Sequence, residues 1–130
     1  MKVKNELVKA ALEARKKSYS PYSKYKVGAA VLGASGKIYA GTNVENASYG
    51  LTICAERSAI FNAVSSGEKA IKAIAVTEHP CGACRQVINE FAKPNTPVYI
   101  ARIKNGKPAA DEYKLKDYLP FPFGPGSLPL

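Results

Sequence analysis

Apolar residues near the start of the chain recur every three or four positions. The positions i, i+3, i+4 and i+7 are filled by Leu7, Ala10, Ala11 and Ala14. This spacing is typical of one face of an amphipathic helix. The following "SPYS" ends the pattern, because proline cannot continue a helix and turns the preceding residue away from helical geometry. The sequence therefore predicts a first helix that ends before Pro21.

Shorter apolar stretches follow. "KVGAAVL" and "KIYAGTN" flank the turn-forming "GASGK", which indicates a hairpin. "IKAIAVT" is apolar without strict alternation, as expected of a strand covered on both faces, and "TPVYIAR" is a further strand. Helical periodicity predicts two more helices. Their apolar faces are Ala59, Ile60, Ala63 and Val64 in one, and Cys84, Val87, Ile88 and Phe91 in the other.

The predicted order of elements is α-β-β-α-β-α-β. "EYKLKDYL" then reads as a weak helix, and the tail "PFPFGPGSLPL" is rich in proline and glycine. A helix that links two apolar strands implies a right-handed crossover and hence parallel strands. We therefore expect an α/β fold, a three-layer α-β-α sandwich with a mixed sheet. Residues 1–130 are expected to form a single domain, with the tail at 120–130 contributing to a subunit interface.

Composition narrows the class of protein. Hydrophobic residues make up 46% and charged residues 22%, as in ordinary globular proteins. No apolar run approaches the roughly 20 residues that span a bilayer, so no membrane partner is expected. The first residues lack the features of a secretory signal, which makes a cytoplasmic location the expectation. The net charge of +9 raises nucleic acid as a partner, but the basic residues are dispersed, so a solvated surface is preferred.

The three cysteines are the first sign of chemistry. Cys54 opens the second predicted helix, and Cys81 and Cys84 lie at the start of the third. The positive end of a helix favours the thiolate, which is the form that binds metal. Three thiolates that converge at one sheet edge would make a strong zinc site. A redox role for the Cys-x-x-Cys pair would leave Cys54 and the nearby Glu56 unexplained.

Glu56 stands two residues after Cys54. Its carboxylate could bind the metal, or it could act beside the metal as a general acid and base. The second role requires three protein ligands and an open fourth position. A glutamate in the first turn of a helix is also favoured simply by the helix dipole. Spacing alone leaves these interpretations open.

"CAE" followed by "PCGAC" resembles the signature of the zinc-dependent nucleoside and nucleobase deaminases. The blocks "SPYSKYKVGAAVL", "GTNVENASYGLTICAERSAIF", "PCGACRQVINEF" and "LPFPFGP" resemble those of the small cytidine deaminases, in the same order. The resemblance implies zinc ligands at Cys54, Cys81 and Cys84, with Glu56 as the proton shuttle. It also implies hydrolysis of cytidine and 2′-deoxycytidine to uridine and 2′-deoxyuridine with release of ammonia, a reaction of pyrimidine salvage.

The same resemblance implies the substrate contacts. Asn43 and Glu45, in "NVENAS", would hold the ribose 3′-hydroxyl. The backbone N–H of Ala55 would grip the base carbonyl, and Tyr25 would line the pocket. A carboxylate at the sugar would repel a nearby phosphate, which favours a free nucleoside over a polynucleotide.

Family members with three cysteines are homotetramers that share active sites, and the resemblance implies the same here. Phe123 in the tail would stack on the base in a neighbouring subunit, although Phe121 is a second candidate. Tyr49 would serve the interface and a neighbour's site.

Three thiolates and one Zn²⁺ sum to a negative charge, which opposes acidification of a bound water. We expect Arg57, Arg85 or both to donate hydrogen bonds to ligand sulfurs and offset this charge. The alternative is that both are surface arginines in salt bridges. His79 is expected to be a loop histidine outside the metal site. Two other functions stay open, a deaminase of single-stranded nucleic acid and a non-catalytic binding module stabilised by zinc.

Overall fold

The structure is a computed structural model, which describes residues 2–129. Within this range the helices and strands follow in the order α1 (Lys2–Arg15), β1 (Gly28–Gly33), β2 (Ile38–Thr42), α2 (Ala55–Ser65), β3 (Ile71–Val76), α3 (Gly82–Phe91), β4 (Pro97–Lys104), β5 (Lys107–Lys114) and α4 (Leu115–Tyr118). Single-turn 3₁₀ helices cover Tyr49–Leu51 and Pro125–Ser127. None of the helices in residues 2–129 has the length and apolar character needed to cross a membrane.

The strands form one sheet in the order β2-β1-β3-β4-β5. β3 and β4, which α3 connects, are parallel, and the other neighbouring pairs are antiparallel. The sheet is therefore mixed, with α1 on one face and α2 and α3 on the other. This arrangement confirms the predicted α/β fold.

Two buried clusters lie on opposite faces of the sheet. The cluster under α2 and α3 includes Ile60, Ile88, Val31, Ile74 and Val98. The cluster under α1 includes Leu7, Ala11, Ala30, Ala75 and Tyr99. Successive residues of β1 and β3 thus point into different clusters, as the two-residue period of a strand requires. Both faces are covered, which explains why β3 is apolar except for the exposed Lys72.

Two glycines bring helices α1 and α2 directly onto the sheet. A Cβ atom at Gly28 would lie 2.1 Å from the carbonyl oxygen of Ala11 in α1. At Gly41 it would lie 2.3 Å from the amide nitrogen of Ala59 in α2. Any side chain at these positions would push a helix outward, so glycine fixes where each helix lies on the sheet.

The expectation for "EYKLKDYL" is wrong in its first part. Glu112–Lys114 belong to β5, and the helix α4 begins only at Leu115. β5 pairs with β4 through a tight turn in which Asn105 has φ 52° and Gly106 has φ 76°. Two successive residues with positive φ are typical of a type I′ hairpin turn, for which Asn-Gly is the preferred sequence. The Asn-Gly pair was therefore the signal for this strand.

Candidate active site

The three cysteines meet where α2 and α3 begin. Cys54 is the residue that precedes α2, Cys81 precedes α3, and Cys84 lies in the first turn of α3. Neither Cys54 nor Cys81 uses its side chain to cap its helix. Their sulfur atoms are therefore free for another role at the positive ends of two helices.

The sulfur positions fit a zinc ion. The three Sγ atoms lie within 4.8 Å of one another. Sγ of Cys81 is 3.9 Å from that of Cys54 and 3.5 Å from that of Cys84. Tetrahedral zinc with Zn–S bonds of about 2.3 Å separates its sulfur ligands by about 3.8 Å. The group therefore needs little movement to hold zinc.

The cysteine group releases a proton readily. The pKa of Cys54 falls to about 5, chiefly because the Cys84 thiol hydrogen-bonds to its sulfur, with help from Arg57 and Cys81. The same hydrogen bond, together with burial, raises the pKa of the Cys84 thiol. At neutral pH the group thus already contains a thiolate, the form that a metal requires.

Glu56 lies beside this group without belonging to it. Its side chain is in the first turn of α2 and is only 4% exposed. Within the described residues, the atoms that could share a metal ion come from the three cysteines and not from Glu56. Burial raises the pKa of Glu56 to about 7, and the charge of Cys54 acts in the same direction. The geometry thus favours a role beside the metal over a role as ligand.

A cavity of about 250 Å³ connects Cys54, Cys81 and Glu56 to polar residues on neighbouring loops. Its lining includes Cys54, Ala55, Glu56 and Cys81 at one end, called here the metal end. It also includes Ser23, Asn43, Glu45 and Thr52 at the other end, called here the sugar end after the contact predicted for Asn43 and Glu45. The remaining lining residues are Tyr25, Val27, Ile53, Glu78 and His79. The predicted residues Tyr25, Asn43, Glu45, Ala55 and Glu56 therefore share one cavity.

Glu45 is held in place by the loop before β1. Its carboxylate accepts hydrogen bonds from the backbone N–H groups of Tyr22, at 2.9 Å, and Ser23, at 3.1 Å. The Ser23 hydroxyl also donates to it. This last bond is the main reason why the pKa of Glu45 lies below its ordinary value. Glu45 is therefore an ionised acceptor at the sugar end.

Asn43 is buried and largely engaged. Its Oδ1 accepts hydrogen bonds from the Ser18 hydroxyl at 2.5 Å and the Val27 N–H at 2.9 Å. Its Nδ2 donates to the carbonyl of Tyr25 at 2.8 Å. An amide nitrogen has two hydrogens. Asn43 can therefore offer a ligand one N–H, which complements the acceptor Glu45.

Comparison with known proteins agrees with this site. Residues 1–100 match the family model described as the cytidine and deoxycytidylate deaminase zinc-binding region. The cytidine deaminase of Sporosarcina psychrophila is 49% identical over 105 residues, which cover 76% of this chain and 77% of the relative. The chain belongs to the cytidine deaminase family. The zinc cofactor predicted from the cysteines is confirmed by this membership together with the sulfur geometry.

Solved structures extend the likeness to cytidine deaminases over most of the fold. A cytidine deaminase from Burkholderia pseudomallei is 45% identical, with a TM-score of 0.80 and coverage of 91% of this chain and 97% of that one. A cytidine deaminase from Mycobacterium tuberculosis is 36% identical, with a TM-score of 0.79 and coverage of 92% and 96%. Because these matches cover more than 90% of the chain, the likeness extends beyond residue 100, where the match to the family model ends.

The two arginines behave differently. Nη2 of Arg57 lies 3.4 Å from Sγ of Cys54, as expected, and its Nε is buried without a hydrogen-bond partner in the described residues. The charge and hydrogen bond of Cys54 raise the pKa of Arg57. Arg85 instead donates to the carbonyls of Pro80, at 2.8 Å, and Tyr118, at 3.1 Å. The expectation that Arg85 could contact a ligand sulfur is therefore wrong, because main-chain oxygens engage its guanidinium.

Tyr49 and Phe123 do not line the cavity of their own chain. Tyr49 is 76% exposed and packs edge-on against Tyr22, with ring centroids 6.1 Å apart. Phe123 is 62% exposed, and its carbonyl accepts hydrogen bonds from two side chains of α3, those of Gln86 at 2.7 Å and Asn89 at 3.2 Å. Their roles in a neighbouring site stay predictions.

Sequence reasoning missed Glu78 as a cavity residue and the partners of His79. Glu78 accepts a hydrogen bond from the Tyr25 hydroxyl. Nδ1 of His79 lies 2.6 Å from the hydroxyl of Tyr118. The available signal was the position of both residues, directly before the Pro-Cys-x-x-Cys motif at the carboxyl end of β3.

Proposed function

We propose that this protein is a hydrolase that deaminates cytidine and 2′-deoxycytidine to uridine and 2′-deoxyuridine with release of ammonia, in pyrimidine salvage. One observation carries the proposal. Three sulfur atoms are spaced for zinc, and two of these cysteines, Cys54 and Cys81, line a cavity together with a buried glutamate that is not part of the ligand group. This is the donor set of a catalytic zinc, in which three protein ligands leave a position open.

Glu56 is the group that moves protons in this proposal. A bound zinc ion supplies the Lewis acidity that lowers the pKa of a water molecule toward neutrality. Glu56 takes a proton from the water molecule while the water oxygen attacks C4 of the base. It delivers this proton to N3, which leaves C4 with a hydroxyl and an amino group. Glu56 then moves the hydroxyl proton to the amino nitrogen, so that the C4–N bond breaks, ammonia leaves and the C4 carbonyl of uridine forms. The burial of Glu56 keeps this exchange away from bulk solvent.

Neutral nucleosides suit the cavity better than nucleotides. Its lining contains the carboxylates of Glu45, Glu56 and Glu78 and no lysine or arginine. Glu45 can accept a hydrogen bond from a sugar hydroxyl while Asn43 donates one. A phosphate inside the cavity would meet this negative charge, and the cavity lining offers it no lysine or arginine. A deaminase of single-stranded nucleic acid is not favoured for the same reason.

The test is the loss of ultraviolet absorbance when zinc-loaded protein is mixed with cytidine. We expect turnover of cytidine and 2′-deoxycytidine and little of cytidine 5′-monophosphate, and Glu56→Gln should retain zinc without turnover. Zinc binding without ammonia release from cytidine would instead indicate the non-catalytic binding module. Turnover of the monophosphate as fast as of cytidine would contradict the choice of nucleoside.

A homotetramer with shared active sites is the quaternary arrangement that we propose. The exposed aromatic side chains of Tyr49, Phe121 and Phe123 support it, since large apolar groups in solvent often mark contact surfaces. The tail at 120–130 would place Phe123 on the base in a neighbouring subunit. Light scattering that shows a fully active monomer would refute this arrangement.

The remaining expectations follow from the same site. Residues 1–130 would act as a single domain, because both buried clusters pack on one sheet. A cytoplasmic location would keep the three cysteine thiols reduced and able to bind metal. One cooperative unfolding transition of the purified chain would support the single domain. Zinc bound to the chain when it is purified from cytoplasm would support the cytoplasmic location.

A further inference from the structure

The connection between β3 and α3 carries a ligand of the metal group. It has five residues, Thr77–Cys81, called here the ligand loop. Cys84 is completely buried in the packed first turn of α3, so the core fixes its sulfur. Cys81 is exposed, so packing cannot fix it in the same way. Its position depends on what holds the ligand loop.

One side of the ligand loop is tied to residues before and within β1. The N–H of Thr77 donates to the carbonyl of Gly28 at 3.0 Å, and the N–H of Gly28 donates to the Thr77 hydroxyl at 3.1 Å. Glu78 accepts a hydrogen bond from the Tyr25 hydroxyl. Its other carboxylate oxygen accepts the backbone N–H of His79 at 2.9 Å.

The other side is tied to a single residue of α4. Tyr118 places its hydroxyl 2.6 Å from Nδ1 of His79. Its carbonyl accepts Nη1 of Arg85 at 3.1 Å, and its ring lies 5.0 Å from the guanidinium carbon. Nε of Arg85 in turn donates to the carbonyl of Pro80 at 2.8 Å. Tyr118 therefore reaches the ligand loop by two routes, at the two residues that precede Cys81.

Tyr118 is well placed to act as a fixed support. α4 is docked by Leu115, which is 1% exposed and whose N–H donates to the carbonyl of Thr96 at 3.0 Å. The ring of Tyr113 packs against those of His79 and Tyr118, with 5.6 Å between centroids in each pair. Burial raises the pKa of Tyr118 to about 12, so its hydroxyl keeps its proton at neutral pH.

We propose that Tyr118 is a positioning residue for the zinc site, which through His79 and Arg85 holds the ligand loop with Cys81 in place before the metal binds. The inference rests on the zinc dependence in the proposed function. A ligand that is already in position loses less conformational freedom on binding. Without this support, the loop would release zinc faster, although all three sulfur ligands would remain.

The test is the rate at which the zinc-loaded protein gives up its metal to a chromogenic chelator. Tyr118→Phe keeps the ring and removes the hydroxyl, and we expect about fivefold faster release, the factor that one neutral hydrogen bond is worth. Tyr113→Phe is the matched control, because its hydroxyl makes no hydrogen bond within residues 2–129. This control should release zinc at the wild-type rate.

A second variant pair tests whether the effect passes through His79. His79→Ala should speed release, and adding Tyr118→Phe to it should have no further effect, because the bond is already lost. Excess zinc should restore the deaminase activity that Tyr118→Phe loses in dilute solution. A general loss of structure would not respond to zinc in this way.

The outcomes separate this inference from the proposed function. Wild-type release from Tyr118→Phe, or equally fast release from Tyr113→Phe, would overturn the positioning role even if the protein deaminates cytidine. Faster release from Tyr118→Phe alone would support it even if cytidine is not the substrate. A wild-type chain that binds no zinc would overturn both.

Discussion

The two ends of the cavity are built in different ways. At the metal end, Cys84 and Glu56 lie in the first turns of α3 and α2, with exposures of 0% and 4%. Their positions follow from helices packed on a sheet. At the sugar end, Glu45 and Asn43 lie between elements and are held by hydrogen bonds to the segment before β1.

Substitutions at the two ends of the cavity should therefore have different effects on activity. A metal site must hold its ligands to within about 0.5 Å, and packed helices supply such precision. Hydrogen bonds between loops can adjust to a sugar and still bind it. We therefore expect changes at the metal end to abolish activity and changes at the sugar end to weaken substrate binding by degrees.

The largest expected effect is that of Cys81→Ser. Removing one of three sulfur ligands should cause loss of the zinc. The Lewis acid stabilises the transition state by several kcal/mol, so kcat/KM should fall by more than about 1000-fold. Metal analysis together with the cytidine assay measures this.

Cys81 is exposed, which makes this variant a clean test of the metal end. Thermal unfolding in the presence of a chelator should be the same for Cys81→Ser and the wild type. A variant that keeps one zinc per chain and substantial activity would show that the third ligand is dispensable and would remove the contrast between the two ends.

The metal end was largely predictable from sequence. The cysteines stand at the starts of helices that periodicity alone locates, and helix starts that follow strands at one sheet edge come close together.

β5 was harder to predict, because it is an edge strand whose residues are mostly exposed and do not alternate. The partner of Arg85 could not be predicted either. Tyr118 lies 33 residues away along the chain, and a hydrogen bond at that separation depends on the final packing.

A smaller effect is expected for Glu45→Gln at the sugar end. The substitution replaces an ionised acceptor by a neutral one, and hydrogen bonds to charged groups contribute about 1.5–3 kcal/mol. We expect KM for cytidine to rise about 45-fold at the middle of this range, with zinc content unchanged.

Steady-state kinetics should be compared with Glu13→Gln, which removes an equal charge from an exposed site on α1. That control should leave KM unaltered. A fall in kcat with constant KM in Glu45→Gln would mean that Glu45 acts on the reaction itself. The separation into a metal end for the reaction and a sugar end for substrate binding would then be wrong.

The tail offers a test of whether the sugar end is completed by another subunit. Stacking of an aromatic ring on a base is worth about 1–3 kcal/mol, so Phe123→Ala should lower kcat/KM by about tenfold. Phe121→Ala, two residues away, is the matched control and should change it less. Co-expression with Glu56→Gln should recover part of the activity if the ring acts across subunits. Equal losses from both variants, or no recovery, would argue against Phe123 as the stacking residue.

The smallest expected effect is that of Arg57→Gln, at the boundary of the metal end. Arg57 donates to Sγ of Cys54 over a long distance of 3.4 Å, so its loss should lower zinc affinity by only about fivefold. Competition with a chelator of known affinity measures this, and Arg57→Lys, which keeps the charge, should recover part of it. Because the arginine offsets thiolate charge, its removal should also move the acid limb of the pH–rate profile to higher pH. Unchanged zinc affinity and an unchanged profile would show that Arg57 only packs against the cysteines, and the metal end would then consist of its ligands and Glu56 alone.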